Sequence, residues 1–243
     1  MRILIANDDG IYSPGIKALA ELASEFGDVR IVAPDVEQSS MGQAISSHRP
    51  LGYRRTRIGD FEAFRVNGTP SDCVALGVHN WDKVDVVLSG INQGLNLGNA
   101  TWHSGTLAAA RQAALFGLQG IALSAPSIEE NGDYELLKPY AKQVLSTLLT
   151  KKPAALLHNV NFPLAPRGVK WTRQSVRHYD GKVIPAKDPY GRELFWFTAM
   201  AIEEVDEGTD RWAMANGFVS VTPLRLDITD VESLAEESQR LKF

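Results

Sequence analysis

The run "ILIANDDGIYSPG" places two adjacent carboxylates, Asp8 and Asp9, one residue beyond four apolar ones, with Asn7 between. Neighbouring acids repel one another, and burying them without a counter-charge is costly. A bound cation removes that repulsion. Aspartate and asparagine beside glycine are also ordinary turn formers, so the surroundings must decide between the two uses. Three further stretches supply oxygen-bearing side chains. "APDVEQSSMGQ" offers Asp35, Ser39 and Ser40, and "SGINQGLNLGN" offers Ser89, Asn92, Asn96 and Asn99. "HSGT" offers His103, Ser104 and Thr106. This set is rich in carboxylate, hydroxyl and amide oxygens and poor in soft ligands. It suits a hard divalent cation such as magnesium, manganese or calcium. Ser104-Gly105-Thr106 would open a helix, whose free backbone N–H groups and dipole attract a phosphate. Either hydroxyl would cap that helix as well, and the two uses are compatible.

What positions these groups is an alternation of strands and helices. Residues 2–6 read as a strand buried on both faces, as in a parallel sheet. Ser13 and Pro14 read as the N-cap and first position of a helix that Gly27 stops. Residues 29–34 form a second strand and complete a β-α-β unit. Strands follow at 84–90, 120–126 and 155–163. Helices are expected from "TPSDCVALGVHNW", over 104–117, and from "DYELLKPYAKQVLSTLLTK", the last kinked at Pro139. This alternation implies a mostly parallel sheet covered by helices on both sides, an α/β Rossmann-like three-layer sandwich. In such sheets ligands bind beyond the carboxyl ends of the strands, which is where all four oxygen-rich stretches fall. Past about residue 168 the texture changes. "VKWTRQSVRHY" and "ELFWFTAMAIEEV" alternate like antiparallel strands, joined through "DGKVIPAKDPYGR" as a long aromatic-rich hairpin. A strand "GFVSVTPL" and a C-terminal helix follow. We expect a core over 1–167 and a C-terminal extension over 168–243 used in assembly.

The 243 residues are 44% hydrophobic and 22% charged, with a net charge of −4. That is ordinary for a globular chain with a sizeable core. It disfavours a polymeric nucleic-acid partner, which would call for a basic surface. The single cysteine, Cys73, excludes an internal disulfide and fits a reducing compartment. Its apolar helical setting reads as a buried, inert thiol. Neither a signal peptide nor a membrane-length apolar run is visible, and we expect a cytoplasmic location.

The dinucleotide-binding G-x-G-x-x-G, the P-loop and the G-x-S-x-G elbow are all missing. That argues against a nicotinamide dehydrogenase, a P-loop NTPase and an α/β-hydrolase. Of the histidines, His103 alone stands beside the phosphate-type helix start, as an acid or a substrate contact.

The ordered stretches "ILIANDDGIYSPGI", "VAPDVEQSS", "VNGTPSDCV", "LSGINQGLNLG" and "HSGTLAAA" resemble the SurE family, the survival-protein nucleotidases, along nearly the whole chain. The resemblance implies a divalent-metal-dependent phosphomonoesterase acting on nucleoside 5'-monophosphates, with 3'-monophosphates left open. It implies one metal per subunit, held by Asp8, Asp9, Ser39 and Asn92. Phosphate contacts fall on Asn96, Ser104, Gly105 and Thr106, and Asp8 and Asp9 become the catalytic pair. A homodimer or homotetramer is implied, with subunit exchange through the C-terminal region. One departure stands out. The family usually has Ser-Gly where this chain has Ser39-Ser40, and if the glycine serves a positive φ, Ser40 is strained there. Two other readings fit the same residues: a nucleotide sensor without turnover, and a phosphatase acting mainly on short polyphosphate or sugar phosphates. For base stacking the sequence offers Tyr12, just after the acid pair.

Overall fold

The computed structural model describes residues 1–126, 134–149, 153–176 and 179–240. The chain opens with β1 (Arg2–Ala6), α1 (Pro14–Ala23) and β2 (Asp28–Pro34). A hairpin of β3 (Tyr53–Ile58) and β4 (Phe61–Val66) leads into α2 (Pro70–Asn80). Then come β5 (Val86–Gln93), α3 (Gly105–Leu115), β6 (Gln119–Ala125), α4 (Lys138–Leu148) and β7 (Leu157–Asn161). The C-terminal part holds β8 (Val169–Trp171), β9 (Tyr179–Lys187) and β10 (Glu193–Ala201). It ends with α5 (Asp210–Ala215), β11 (Val219–Leu224) and α6 (Val231–Arg240).

Nine strands form one sheet in the order β3-β4-β2-β1-β5-β6-β7-β11-β8. The neighbours from β4 through β7 run parallel, whereas β3 and β11 pair antiparallel with β4 and β7. The two hydrophobic layers follow the strand pleat. Ile3 and Ile5 of β1 face a cluster containing Ile16 and Leu19 of α1 and Val144 and Leu145 of α4. Leu4 and Ala6 face Cys73 and Val74 of α2 and Ala109 and Ala113 of α3. This alternation buries both sides of β1, which is why its sequence reads as a continuous apolar run. The three-layer α/β sandwich anticipated from the sequence is therefore present. From β1 the chain moves to β2 on one side and later to β5 on the other. The gap between the carboxyl ends of β1 and β5 is a topological switch point, where ligands of such sheets bind.

Several local expectations differ from what is observed. The first helix ends at Ala23 rather than at Gly27, and Gly27 instead lies hard against the Met1 carbonyl. Helix α4 begins at Lys138 with Pro139 in its first turn, not as one long kinked helix. Proline is tolerated there because that N–H has no helical acceptor. Strand β5 runs on to Gln93 through an irregularity between Ser89 and Asn92, where the Gly90–Ile91 peptide is cis. The aromatic-rich hairpin exists, but its first strand is β9, drawn from residues assigned to the connection. The stretch assigned to that strand contributes only β8, which joins the main sheet beside β11. Residues 177–178 of that stretch, like 127–133, 150–152 and 241–243, lie outside the described residues. The β3–β4 hairpin escaped the sequence reading because arginines interrupt its apolar alternation. None of the described helices is long and apolar enough to cross a membrane.

Candidate active site

The loop after β1 is held by its own side chains. Asn7 Nδ2 donates to the Gly10 carbonyl at 2.9 Å and to Ser13 Oγ at 2.8 Å. The Ser13 hydroxyl thus receives the Asn7 amide instead of capping α1. The Gln38 N–H donates to the Asp8 carbonyl at 2.7 Å and brings the loop after β2 alongside.

Asp8 is buried, and the Thr106 hydroxyl donates to its Oδ1 at 2.6 Å. Burial raises its pKa, with the Thr106 hydroxyl and nearby backbone N–H groups opposing the rise. Asp9 is half-buried and accepts from the Gln93 N–H at 3.1 Å. Burial first, then the charge of Asp8, push its pKa up to about 6. Among the described residues no lysine or arginine pairs with either carboxylate. Two neighbouring carboxylates, both raised by burial and one also by the charge of the other, with no lysine or arginine partner among the described residues, form a site that a divalent cation would relieve.

The remaining donors for such an ion are neutral oxygens. No trio of His, Cys, Asp or Glu gathers among the described residues. Asn92 Nδ2 donates to the Gly94 carbonyl at 2.8 Å, which fixes the amide, and Oδ1 accepts no hydrogen bond among the described residues. Ser39 is exposed and donates to Glu37 Oε1 at 2.5 Å. Asp8, Ser39 and Asn92 line one cleft of about 520 Å³, and Asp9 and Ser39 line the cavity next to it. Carboxylate, hydroxyl and amide oxygens fit a hard cation. Ser40 has φ +62°. The position takes the left-handed conformation for which glycine is suited, and a serine there is strained.

The phosphate-type groups stand on the far side of Asp8. Ser104 caps α3, its Oγ accepting from the Leu107 N–H at 3.1 Å. It also lines the 520 Å³ cleft, together with Asn96 and the exposed His103. The His103 carbonyl accepts from the Gly42 N–H at 3.0 Å, tying the Ser39-Ser40 loop to the start of α3. Gly105 and Thr106 pack against Asp8 and are not among the residues lining the cleft. A Cβ on Gly105 would stand 2.7 Å from Asp8 Cβ. Only glycine lets the helix start come this close. Thr106 is fully buried, and its hydroxyl serves Asp8, whereas the sequence reading aimed it at a phosphate.

Two supports of the site were not anticipated. Asn96 is fixed by a polar web at the ends of β6 and β7. Its N–H donates to Asn161 Oδ1 at 2.8 Å and its Nδ2 to Ser124 Oγ at 2.9 Å. Its carbonyl accepts from Asn159 Nδ2 at 2.7 Å and Asn161 Nδ2 at 3.1 Å. The available signal was "LHNVN", where His158 and two asparagines stand in a buried strand. The second support is Asp210, fully buried at the start of α5, whose carboxylate accepts from the N–H groups of Gly98 at 2.8 Å and Ser175 at 3.0 Å.

Residues 3–181 match the family model described as survival protein SurE. The chain is 44% identical to 5'-nucleotidase SurE 1 of Thermus thermophilus, over 94% of this chain and 93% of that relative. It is also 44% identical to 5'-nucleotidase SurE of Deinococcus radiodurans, over 99% and 92% respectively. The crystal structure of the SurE protein from Aquifex aeolicus superposes with a TM-score of 0.84 at 37% identity, covering 99% of both chains.

Proposed function

The chain belongs to the survival protein SurE family, and on that premise we propose that it is a divalent-metal-dependent 5'-nucleotidase. It would hydrolyse nucleoside 5'-monophosphates to nucleoside and phosphate. The observation that carries this reading is the meeting of a carboxylate pair, with no lysine or arginine partner among the described residues, with the start of α3 at the switch point of the sheet. That arrangement suits a dianionic phosphate beside a cation.

Asp8, Asp9, Ser39 and Asn92 would hold one magnesium, manganese or calcium ion per subunit. The ion supplies positive charge against the developing charge of the phosphoryl transition state and makes a water more acidic. Ser104, at the first turn of α3, and Asn96, fixed by its asparagine web, bind the phosphate oxygens. The backbone N–H groups of Gly105 and Thr106 hold the Asp8 carboxylate, so these two residues act on the phosphate through Asp8. Thr106 also holds one Asp8 oxygen, so the buried carboxylate keeps one orientation. Asp9, more exposed, takes the proton of the attacking water. Direct carboxylate attack, giving an aspartyl-phosphate, is the alternative route. His103, at the exposed lip of the cleft, contacts the substrate or protonates the leaving oxygen.

The assembly is a homodimer or homotetramer, and the C-terminal part over 168–243 makes it. The support is the β9–β10 hairpin, whose Leu194, Phe195, Trp196 and Phe197 are all exposed. Large apolar side chains exposed on both faces of a hairpin call for a partner surface. The buried Cys73, its thiol pushed well up by burial, fits a reducing cytoplasm.

The test is phosphate release from nucleoside monophosphates, sugar phosphates and tripolyphosphate after EDTA treatment, with Mg²⁺, Mn²⁺ or Ca²⁺ then added back. Release restored by metal and fastest from a nucleotide is expected. Release fastest from tripolyphosphate would make polyphosphate the main substrate. Nucleotide binding without release under any of these ions would make the protein a sensor.

A further inference from the structure

We propose that Phe197 on β10 is the stacking platform for the nucleobase, so that the hairpin, besides serving assembly, selects nucleotides over other phosphate monoesters. The inference rests on the nucleotidase reading and names the side chain that would give it substrate preference. Two cavities flank the acid pair, and both include Ser39 and Gln93. Asn92, Asn96, His103 and Ser104 line only the one of about 520 Å³. A phosphate bound at the start of α3 therefore sits in that cavity, whose size suits a nucleoside monophosphate. Besides the His103 imidazole, the aromatic ring in its lining is Phe197.

Phe197 is 70% exposed and belongs to none of the described hydrophobic clusters, so folding does not account for it. Its ring reaches over Gly181 of β9, where an added Cβ would meet Cζ at 2.8 Å. The glycine leaves that room. Along β10 side chains alternate between faces, so Trp196 turns away from the face that carries Phe197. One face of the hairpin is thus available to the cleft and the other to a partner.

Tyr12, the aromatic singled out in the sequence, is also exposed, at 65%. It lines the neighbouring cavity with Asp9, Asp35 and Glu37. That cavity includes neither Ser104 nor Asn96, and it is lined by three carboxylates where the other has one, Asp8. A nucleotide anchored at Ser104 turns its base toward Phe197 rather than Tyr12.

The experiment compares AMP with ribose 5-phosphate in wild type, Phe197→Ala, Phe197→Trp and Tyr12→Ala. KM is measured for both compounds, and affinity for the nucleotide is measured in parallel by equilibrium dialysis of a non-hydrolysable phosphonate analogue of AMP with Mg²⁺. Losing one stacked base raises KM for AMP and Kd for its analogue by about tenfold. Ribose 5-phosphate should be unchanged in Phe197→Ala, and Phe197→Trp should restore AMP. Unchanged AMP affinity in Phe197→Ala, an equal loss for both compounds, or a loss of AMP only in Tyr12→Ala would each overturn the proposal. Phosphate release from neither compound by wild type would count against the nucleotidase reading, and the dialysis would still decide the role of Phe197.

Discussion

Asp9 is the residue where charge, burial and function meet most directly. Its carboxyl is raised to about 6 because it is partly buried beside Asp8. A carboxyl whose folded pKa is raised stabilises the fold below the ordinary carboxylate range, and that contribution is lost as pH rises through about 6. With EDTA present, Asp9→Asn should therefore raise Tm at pH 7.5 by roughly 2–4 °C and change little at pH 4. The same variant, like Asp8→Asn, should lose most turnover while staying folded. An Asp9→Asn protein with equal gains at both pH values, or near-normal turnover at saturating metal, would contradict the assignment. Ser40 presents a different residue-scale problem. Its φ of +62° disfavours any side chain. Ser40→Gly relieves that strain but gives the unfolded chain more freedom. A net gain of about 1–2 °C in thermal melting is expected.

At the scale of elements, the site is made by the approach of α3 to the end of β1. Gly105 is the contact point, since a Cβ there would meet Asp8 Cβ at 2.7 Å, its Oδ2 at 2.9 Å and Pro70 Cγ at 3.1 Å. Glycine to alanine inside a helix usually stabilises by about 1 kcal/mol. Here the added methyl must displace either the helix start or the carboxylate, at a cost of about 1–3 kcal/mol. Gly105→Ala should lower Tm and reduce kcat/KM about 100-fold through the displaced groups. A melting curve shifted upward with activity intact would show that the approach is looser than described. The asparagines of β7 and Asp210 of α5 act at the same scale. They secure the loop from Asn96 to Gly98 from outside the β1–β5 gap.

At the scale of the whole molecule, the hairpin carries both assembly and substrate recognition in this account, on opposite faces. Trp196 and Leu194 share the face away from Phe197, and both are exposed. Trp196→Lys should shift sedimentation of the protein toward the monomer while AMP affinity stays within about twofold, since an exposed substitution away from the cleft changes little there. An unchanged mass would count against the hairpin as the partner surface.

The sequence by itself determined the layered α/β architecture, because strands buried on both faces and amphipathic helices carry local periodicities that one window of residues contains. It also brought forward the acid pair, the Ser39 loop, the asparagine loop and the Ser104 helix start, since the carboxyl ends of strands in such a sheet share one rim. Ser40 was legible as a departure through the family resemblance, which usually has glycine there, and the structure gives the position a φ of +62° that suits glycine. Only the tertiary structure decided that Thr106 serves Asp8, that Gly105 is a contact point, that Asn159, Asn161 and Asp210 secure the loop, and that Phe197 stands in the cleft. These facts join residues 63 to 112 positions apart or more along the chain, as in the pairs Asn159–Asn96 and Asp210–Gly98. Contacts of that range are set by how layers pack and where the hairpin folds back, and no local pattern of polarity or charge encodes them.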